Sequence, residues 1–228
     1  MLRAIQLINA AKAQSSDSTK AAAPLTVDLH PDRPAFRGFQ GPQGPISLEA
    51  DPSFAEIEAA GGAPSLHAET HTVCDGAFVI SGEIPRGTVY ELGLRRGMRF
   101  DAAASAWVED TLIRDERLVA ARVKGCGLVV FTGCSHAGVV NTARHAVEIA
   151  GGGVPLYAVV GGFHLADAEL PQMQATIRDL KELGPKVLLP GHCSGWRIKY
   201  MIENESPGWL APCTVGTKFT FSSEVGDA

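Results

Sequence analysis

GLVVFTGCSHAGVVN, residues 127–141, reads as an apolar strand, a tight glycine turn and the start of a helix. The turn carries a thiol, a hydroxyl and an imidazole in consecutive positions, Cys134, Ser135 and His136. Two later stretches repeat the plan: LYAVVGGFHL (156–165) and KVLLPGHCSGW (186–196) each run apolar, reach glycine and then present a histidine, His164 and His192. Short aliphatic runs bounded by glycine and proline suit buried strands. Strands alternating with helices build a layered α/β sheet, not an all-β sandwich. Strand ends in such sheets are where sites collect, because loops converge there and helix N-termini point inward. We therefore expect the three endings to line one site.

The bulk numbers narrow the function classes. A chain of 228 residues suits one large domain or two small ones, and 45% hydrophobic with 20% charged residues fits a soluble globular core. A net charge of −5 gives no support to a nucleic-acid partner. No run of about 18 apolar residues is present, so no membrane span is expected. Five cysteines, an odd number with no C-x-x-C pair, argue against a disulfide scaffold or a structural zinc ribbon. They point to a reducing compartment, hence the cytoplasm. The N-terminal MLRAIQLINAAKAQSS reads as an amphipathic helix, and its alternative reading as a transit peptide would make the location mitochondrial.

Working outward, we expect a helix over residues 1–13 and an irregular linker and loop over 14–50, interrupted by a short strand at 25–29. Glycine and proline dominate the segment 34–45 of that loop. Asp51 and Pro52 suit the cap and first turn of a helix that stops at Gly61. Strands are expected over 65–73, where His67, Glu69 and His71 would share one polar face, and over 77–81. Segments 118–123 and 127–131 read as a hairpin. Residues 87–110 resist assignment. Helices follow over 137–150, 171–183 and 196–202, with strands at 155–160, 187–189 and 217–221.

The candidate chemistry lies at the strand ends. Cys134, His136 and His192 are borderline or soft metal donors. His164 suits metal, phosphate or proton transfer. Cys193 follows His192 directly. Both side chains can reach one ion only on a bent backbone, so Cys193 reads as packing. His30 and His145 have no constellation around them and read as structural. HAETH (67–71) departs from the H-E-x-x-H zinc motif by one place and reads as a polar strand face. A different chemistry also fits the opening turn. GCSHA approaches the G-x-S-x-G elbow of a serine hydrolase using Ser135, with Asp167 and His192 following in order, but Ala137 replaces the last glycine.

SGEIPR (81–86), GLVVFTGCSHAGVVNT (127–142), YAVVGGFHL (157–165) and LLPGHCSG (188–195) together resemble the metallo-β-lactamase-fold superfamily. Within it they resemble the subfamily labelled 7,8-dihydropterin-6-yl-methyl-4-(β-D-ribofuranosyl)aminobenzene 5′-phosphate synthase. The resemblance implies an αββα sandwich with metals at one edge. It places Cys134 at a metal-ligand position and His192 at the last metal histidine. His136 matches the GCSH histidine and His164 the GGFH histidine. Their division between metal and substrate stays open, with His136 assigned to metal and His164 to catalysis. Arg86 and Lys199 are the candidate phosphate partners.

The superfamily signature H-x-H-x-D-H occurs nowhere in the 228 residues. The resemblance then implies an N-terminally truncated single domain. It further implies one or two zinc ions in an intact relative and weak or no zinc binding here. The expected function is a metal-dependent hydrolase or transferase acting on a phosphate-containing or pterin-like small molecule, impaired in the shortened chain. The alternative is a non-catalytic remnant scaffold that binds a small molecule or a partner. The oligomeric state is open.

Overall fold

The computed structural model describes residues 1–15 and 24–222, so the expected linker over 16–23 lies outside the described residues. The chain starts with helix α1 (Leu2–Ser15), strands β1 (Leu25–Leu29), β2 (Arg37–Gly41) and β3 (Gly44–Ser47), helix α2 (Phe54–Ala59) and strand β4 (Gly62–Leu66). Strands β5 (His71–Val73), β6 (Phe78–Ile80), β7 (Gly97–Asp101), β8 (Ala106–Glu109), β9 (Val119–Val123) and β10 (Gly127–Phe131) come next. Helix α3 (Val139–Ile149), strand β11 (Leu156–Gly162), helix α4 (Leu170–Leu183), strand β12 (Val187–Gly191) and helix α5 (Trp196–Glu205) complete the order. No described helix is long and apolar enough to cross a membrane. The chain forms two compact units, Met1–Ala68 with Arg96–Thr111, and Glu69–Arg95 with Leu112–Ala228.

In the first unit β1 and β4 pair in parallel, and Ile5, Leu29 and Ile57 form a small buried cluster with α1 and α2. Helix α2 starts two residues later than expected, because Ser53 and Glu56 form a capping box. The Ser53 hydroxyl accepts from the Glu56 amide at 3.3 Å, and the Glu56 carboxylate accepts from the Ser53 amide at 2.8 Å. Asp51 offers no such reciprocal pair. The loop expected through residue 50 is also corrected. The short strand expected at 25–29 forms as β1, but the stretch after it holds the antiparallel hairpin β2–β3, which joins a four-stranded sheet in the order β3-β2-β7-β8. The breakers are tolerated for local reasons. Pro45 lies on an edge strand, and a Cβ on Gly38 would lie 2.2 Å from the Ile46 carbonyl oxygen. Phe36 packs edge-on against Phe100, and Phe100 against Trp107.

The second unit is built on a six-stranded sheet in the order β12-β11-β10-β9-β6-β5. Strands β10, β11 and β12 are parallel, and β9 joins β10 as the expected hairpin with Val123 opposite Gly127. Alternation along β10 serves two cores. Leu128 and Val130 face the large cluster that includes α3, α4 and α5, while Val129 faces Ala158 and Leu189 on the other side. The strand expected over 217–221 does not form. That segment is irregular, and Phe219 and Phe221 pack on the second face, with Phe221 edge-on to Tyr157 at 5.9 Å. The continuous strand expected over 65–73 does not form either, since β4 ends at Leu66 and β5 begins at His71. Parallel pairing brings the C-terminal ends of β10, β11 and β12 to one edge, with Gly162 opposite Gly191.

Candidate metal centre

Three turns leave that edge, and each contains one non-glycine residue in the left-handed region: Ser135 (φ 58°), His164 (φ 51°) and His192 (φ 45°). Each such residue costs about 1–2 kcal/mol. Glycines bring the turns close together. A Cβ on Gly161 would lie 2.1 Å from the Thr132 carbonyl oxygen. One on Gly162 would lie 2.7 Å from both the Gly133 carbonyl oxygen and Cys193 Sγ. The Gly162 amide donates to the Gly133 carbonyl at 2.7 Å, locking the end of β11 onto the turn after β10. Buried Ser194 fastens the third turn, accepting from the Phe163 amide at 3.0 Å and donating to the Gly191 carbonyl at 2.6 Å.

The donors divide into two groups. Cys134 Sγ and His192 Nδ1 are 3.3 Å apart, and the donor atoms of Cys134, His192 and Cys193 all lie within 4.8 Å of one another. His136 and His164 form the second group, their rings 4.7 Å apart and inclined at 64°. Glu116 anchors it. Its carboxylate accepts from the His136 amide at 2.9 Å and the Ala137 amide at 2.7 Å, and pairs with His136 Nδ1 at 2.9 Å. Burial opposes the Glu116 charge, but the hydrogen bond and charge of His136 and the two amides outweigh it and hold the carboxyl below its ordinary range. An ionised carboxylate only accepts, so Nδ1 of His136 is the donor, which leaves Nε2 as the nitrogen that carries the lone pair whenever the ring is neutral. Hydrogen bonds from the Cys134 thiol first, and from His164 and His192, favour the thiolate of Cys193 despite its burial.

Cys134, His136, His164 and His192 thus gather at one edge, as expected. Arg86 Nη1 donates to the His136 carbonyl at 2.9 Å and its Nη2 to the Leu112 carbonyl, so it braces the turn. Lys199 lies in the first turn of α5 and is half-buried. Ser135 is buried, and its hydroxyl is 2.9 Å from that of Thr132, which suits a turn fastener better than an exposed nucleophile. Sequence reading missed Glu116 and the placement of Cys193. Glu116 is 20 residues from His136, in an irregular segment with no periodicity to flag it. The need for a bent backbone at His192–Cys193 was the available signal for the second, and the left-handed His192 supplies that bend.

Thiol and imidazole donors at this spacing fit a borderline or soft divalent ion. No family model matches the chain. A 79-residue segment is 42% identical to the 7,8-dihydropterin-6-methyl-4-(β-D-ribofuranosyl)-aminobenzene-5′-phosphate synthase of Methanocaldococcus jannaschii, covering 35% of this chain and 26% of that protein. The chain therefore spans about a quarter of the length of the curated relative it matches. A solved metal-dependent hydrolase of the β-lactamase superfamily superposes with a TM-score of 0.72 over 94% of this chain and 84% of that one, at 22% identity. The chain has the metallo-β-lactamase fold. The three strand-end turns of this metallo-β-lactamase-like chain are thus the elements that carry its candidate donors, and the α/β layering expected from the motif order is the fold observed.

Proposed function

We propose that this chain is a metal-dependent hydrolase or transferase of the metallo-β-lactamase fold acting on a phosphate-containing or pterin-like small molecule. The observation that carries the reading is the convergence of Cys134 and His192 at 3.3 Å beside the Glu116-anchored His136–His164 pair. The local identity to a dihydropterin-related synthase and the likeness to a metal-dependent hydrolase support it. A divalent ion, zinc in our reading, would supply Lewis-acid polarisation and water activation when bound. Cys134 and His192 would hold it, with His136 Nε2 available beside them. Glu116 fixes the His136 ring through Nδ1. His164 moves a proton at its imidazole. In this reading Lys199, on the first turn of α5, would meet the phosphate, whereas Arg86 supports the turn that presents His136.

The test is turnover of a panel of phosphomonoesters, phosphodiesters and pterin diphosphates by the purified chain with zinc or manganese, with and without chelator. Chelator-sensitive turnover that falls at least about a hundredfold in His192→Ala is the expected result. Turnover that survives chelation and His192→Ala refutes the reading.

A further inference from the structure

We propose that Cys193 is a metal ligand, so that Cys134, His192 and Cys193 form a three-donor site selective for one thiophilic divalent cation. The inference rests on the reading above that these strand ends hold metal, and it replaces His136 by Cys193 at the soft end of the centre.

The spacing supports it. In a tetrahedral zinc site with ordinary bond lengths, sulfur and nitrogen ligands lie roughly 3.6 Å apart and two sulfurs roughly 3.8 Å apart. Cys134 Sγ and His192 Nδ1 are 3.3 Å apart, and all three donor atoms fall within 4.8 Å of one another, so shifts of a few tenths of an ångström up to about 1 Å complete the triangle. Adjacent residues on an extended backbone point to opposite faces. Here His192 adopts φ 45° at the start of the short 3-10 turn His192–Ser194, and both side chains reach the same place. Room for the second sulfur depends on Gly162, whose missing Cβ would lie 2.7 Å from Cys193 Sγ.

Packing does not account for Cys193. It is only partly buried and belongs to none of the apolar clusters, unlike Cys213, which packs with Val129, Ala158 and Leu189. Its Sγ is 3.4 Å from the Cys134 carbonyl oxygen. His136 is engaged elsewhere, with Nδ1 on Glu116 and its ring against His164. Two sulfurs and one imidazole favour zinc, cobalt(II) or cadmium over magnesium or calcium.

Titrating the reduced 228-residue chain with cobalt(II) reads the ligand set directly, through the thiolate-to-cobalt absorption band. The expected result is one ion per chain, with metal protecting Cys134 and Cys193 from iodoacetamide while Cys74 stays reactive. Cys193→Ala should lose about half of the thiolate band and weaken binding roughly tenfold or more, whereas Cys126→Ala should bind like the wild type. Circular dichroism of each variant reports folding. A folded Cys193→Ala that keeps the full band and affinity overturns this inference and leaves the metal reading standing. Wild-type protein that binds no cobalt overturns both.

Discussion

Two carboxylates, Glu91 buried and Glu116 partly buried, hold the two ends of the turn that opens α3, and they behave oppositely. Glu116 holds its start, binding the amides of His136 and Ala137. Glu91 holds the helix N-terminus, accepting from the Val140 and Asn141 amides at 2.9 Å each and from the Thr88 hydroxyl at 3.0 Å. Both carboxylates are largely withdrawn from solvent. Burial raises the pKa of Glu91 in spite of its three donors. At Glu116 burial is outweighed, and the added partner is the His136 imidazole. Two amides and a hydroxyl do not offset burial at Glu91, whereas at Glu116 the imidazole tips the balance towards the carboxylate. Glu91 therefore holds the helix N-terminus, and Glu116 fixes the His136 ring through Nδ1.

The largest expected effect comes from breaking the Glu91 end. Gly138 has φ 98°, and a Cβ there would lie 2.1 Å from the Glu91 carboxyl carbon. Gly138→Ala should cost about 3 kcal/mol and lower the thermal midpoint by roughly 10 °C. Thermal denaturation followed by circular dichroism checks this, and an unchanged midpoint would mean that Glu91 has slack the structure does not show.

Next is Glu116→Gln, expected to cost about 2 kcal/mol at neutral pH by urea denaturation. The folded pKa is depressed, so the contribution is present above the ordinary value of 4.5 and is lost as pH falls through the folded pKa. The gap between wild type and variant should therefore close in acid. A gap that stays constant there would contradict the charged pairing with His136.

Glu91→Gln should cost less, about 1.5 kcal/mol in mild acid, and show the opposite trend. The folded pKa is raised, so the contribution is fully present below 4.5 and is lost as pH rises through the folded pKa. The variant's deficit should shrink towards neutral pH. Parallel pH profiles for the two glutamine variants would erase the distinction between the carboxylates.

The smallest effect is expected at Ser135, which precedes both held segments and touches neither carboxylate in the described hydrogen bonds. Ser135→Ala loses the 2.9 Å contact with Thr132 and should cost about 0.5–1 kcal/mol. Turnover should persist. Complete loss of turnover in a folded variant would favour the serine-hydrolase chemistry instead.

Much of the second unit was legible along the chain. The runs at 127–131, 156–160 and 187–189 carry their own signal, because buried strands need consecutive aliphatic residues and the turns after them need glycine. Helix α4 was legible from its periodicity and its glycine stop, and Gly184 indeed takes φ 62° at the C-cap. The first unit was read less well. The hairpin β2–β3 is dense in glycine and proline, and its strand character depends on partners such as β7, more than 50 residues away in sequence. Composition there predicts a loop, while pairing makes a sheet.

The same division runs through the site. The sequence by itself determined three strand–glycine–histidine endings and hence the edge at which Cys134, His136, His164 and His192 gather. Those features are local: apolar runs and glycines act on their immediate neighbours. Only the tertiary structure decided which donors meet. It placed Cys193 Sγ against the Cys134 carbonyl across 59 residues, and Glu116 on His136 across 20. It also assigned Arg86 to bracing the turn. These outcomes depend on the register of parallel strands and on left-handed φ values at single residues, so a carboxylate or thiol acquires its role from what the fold places opposite it.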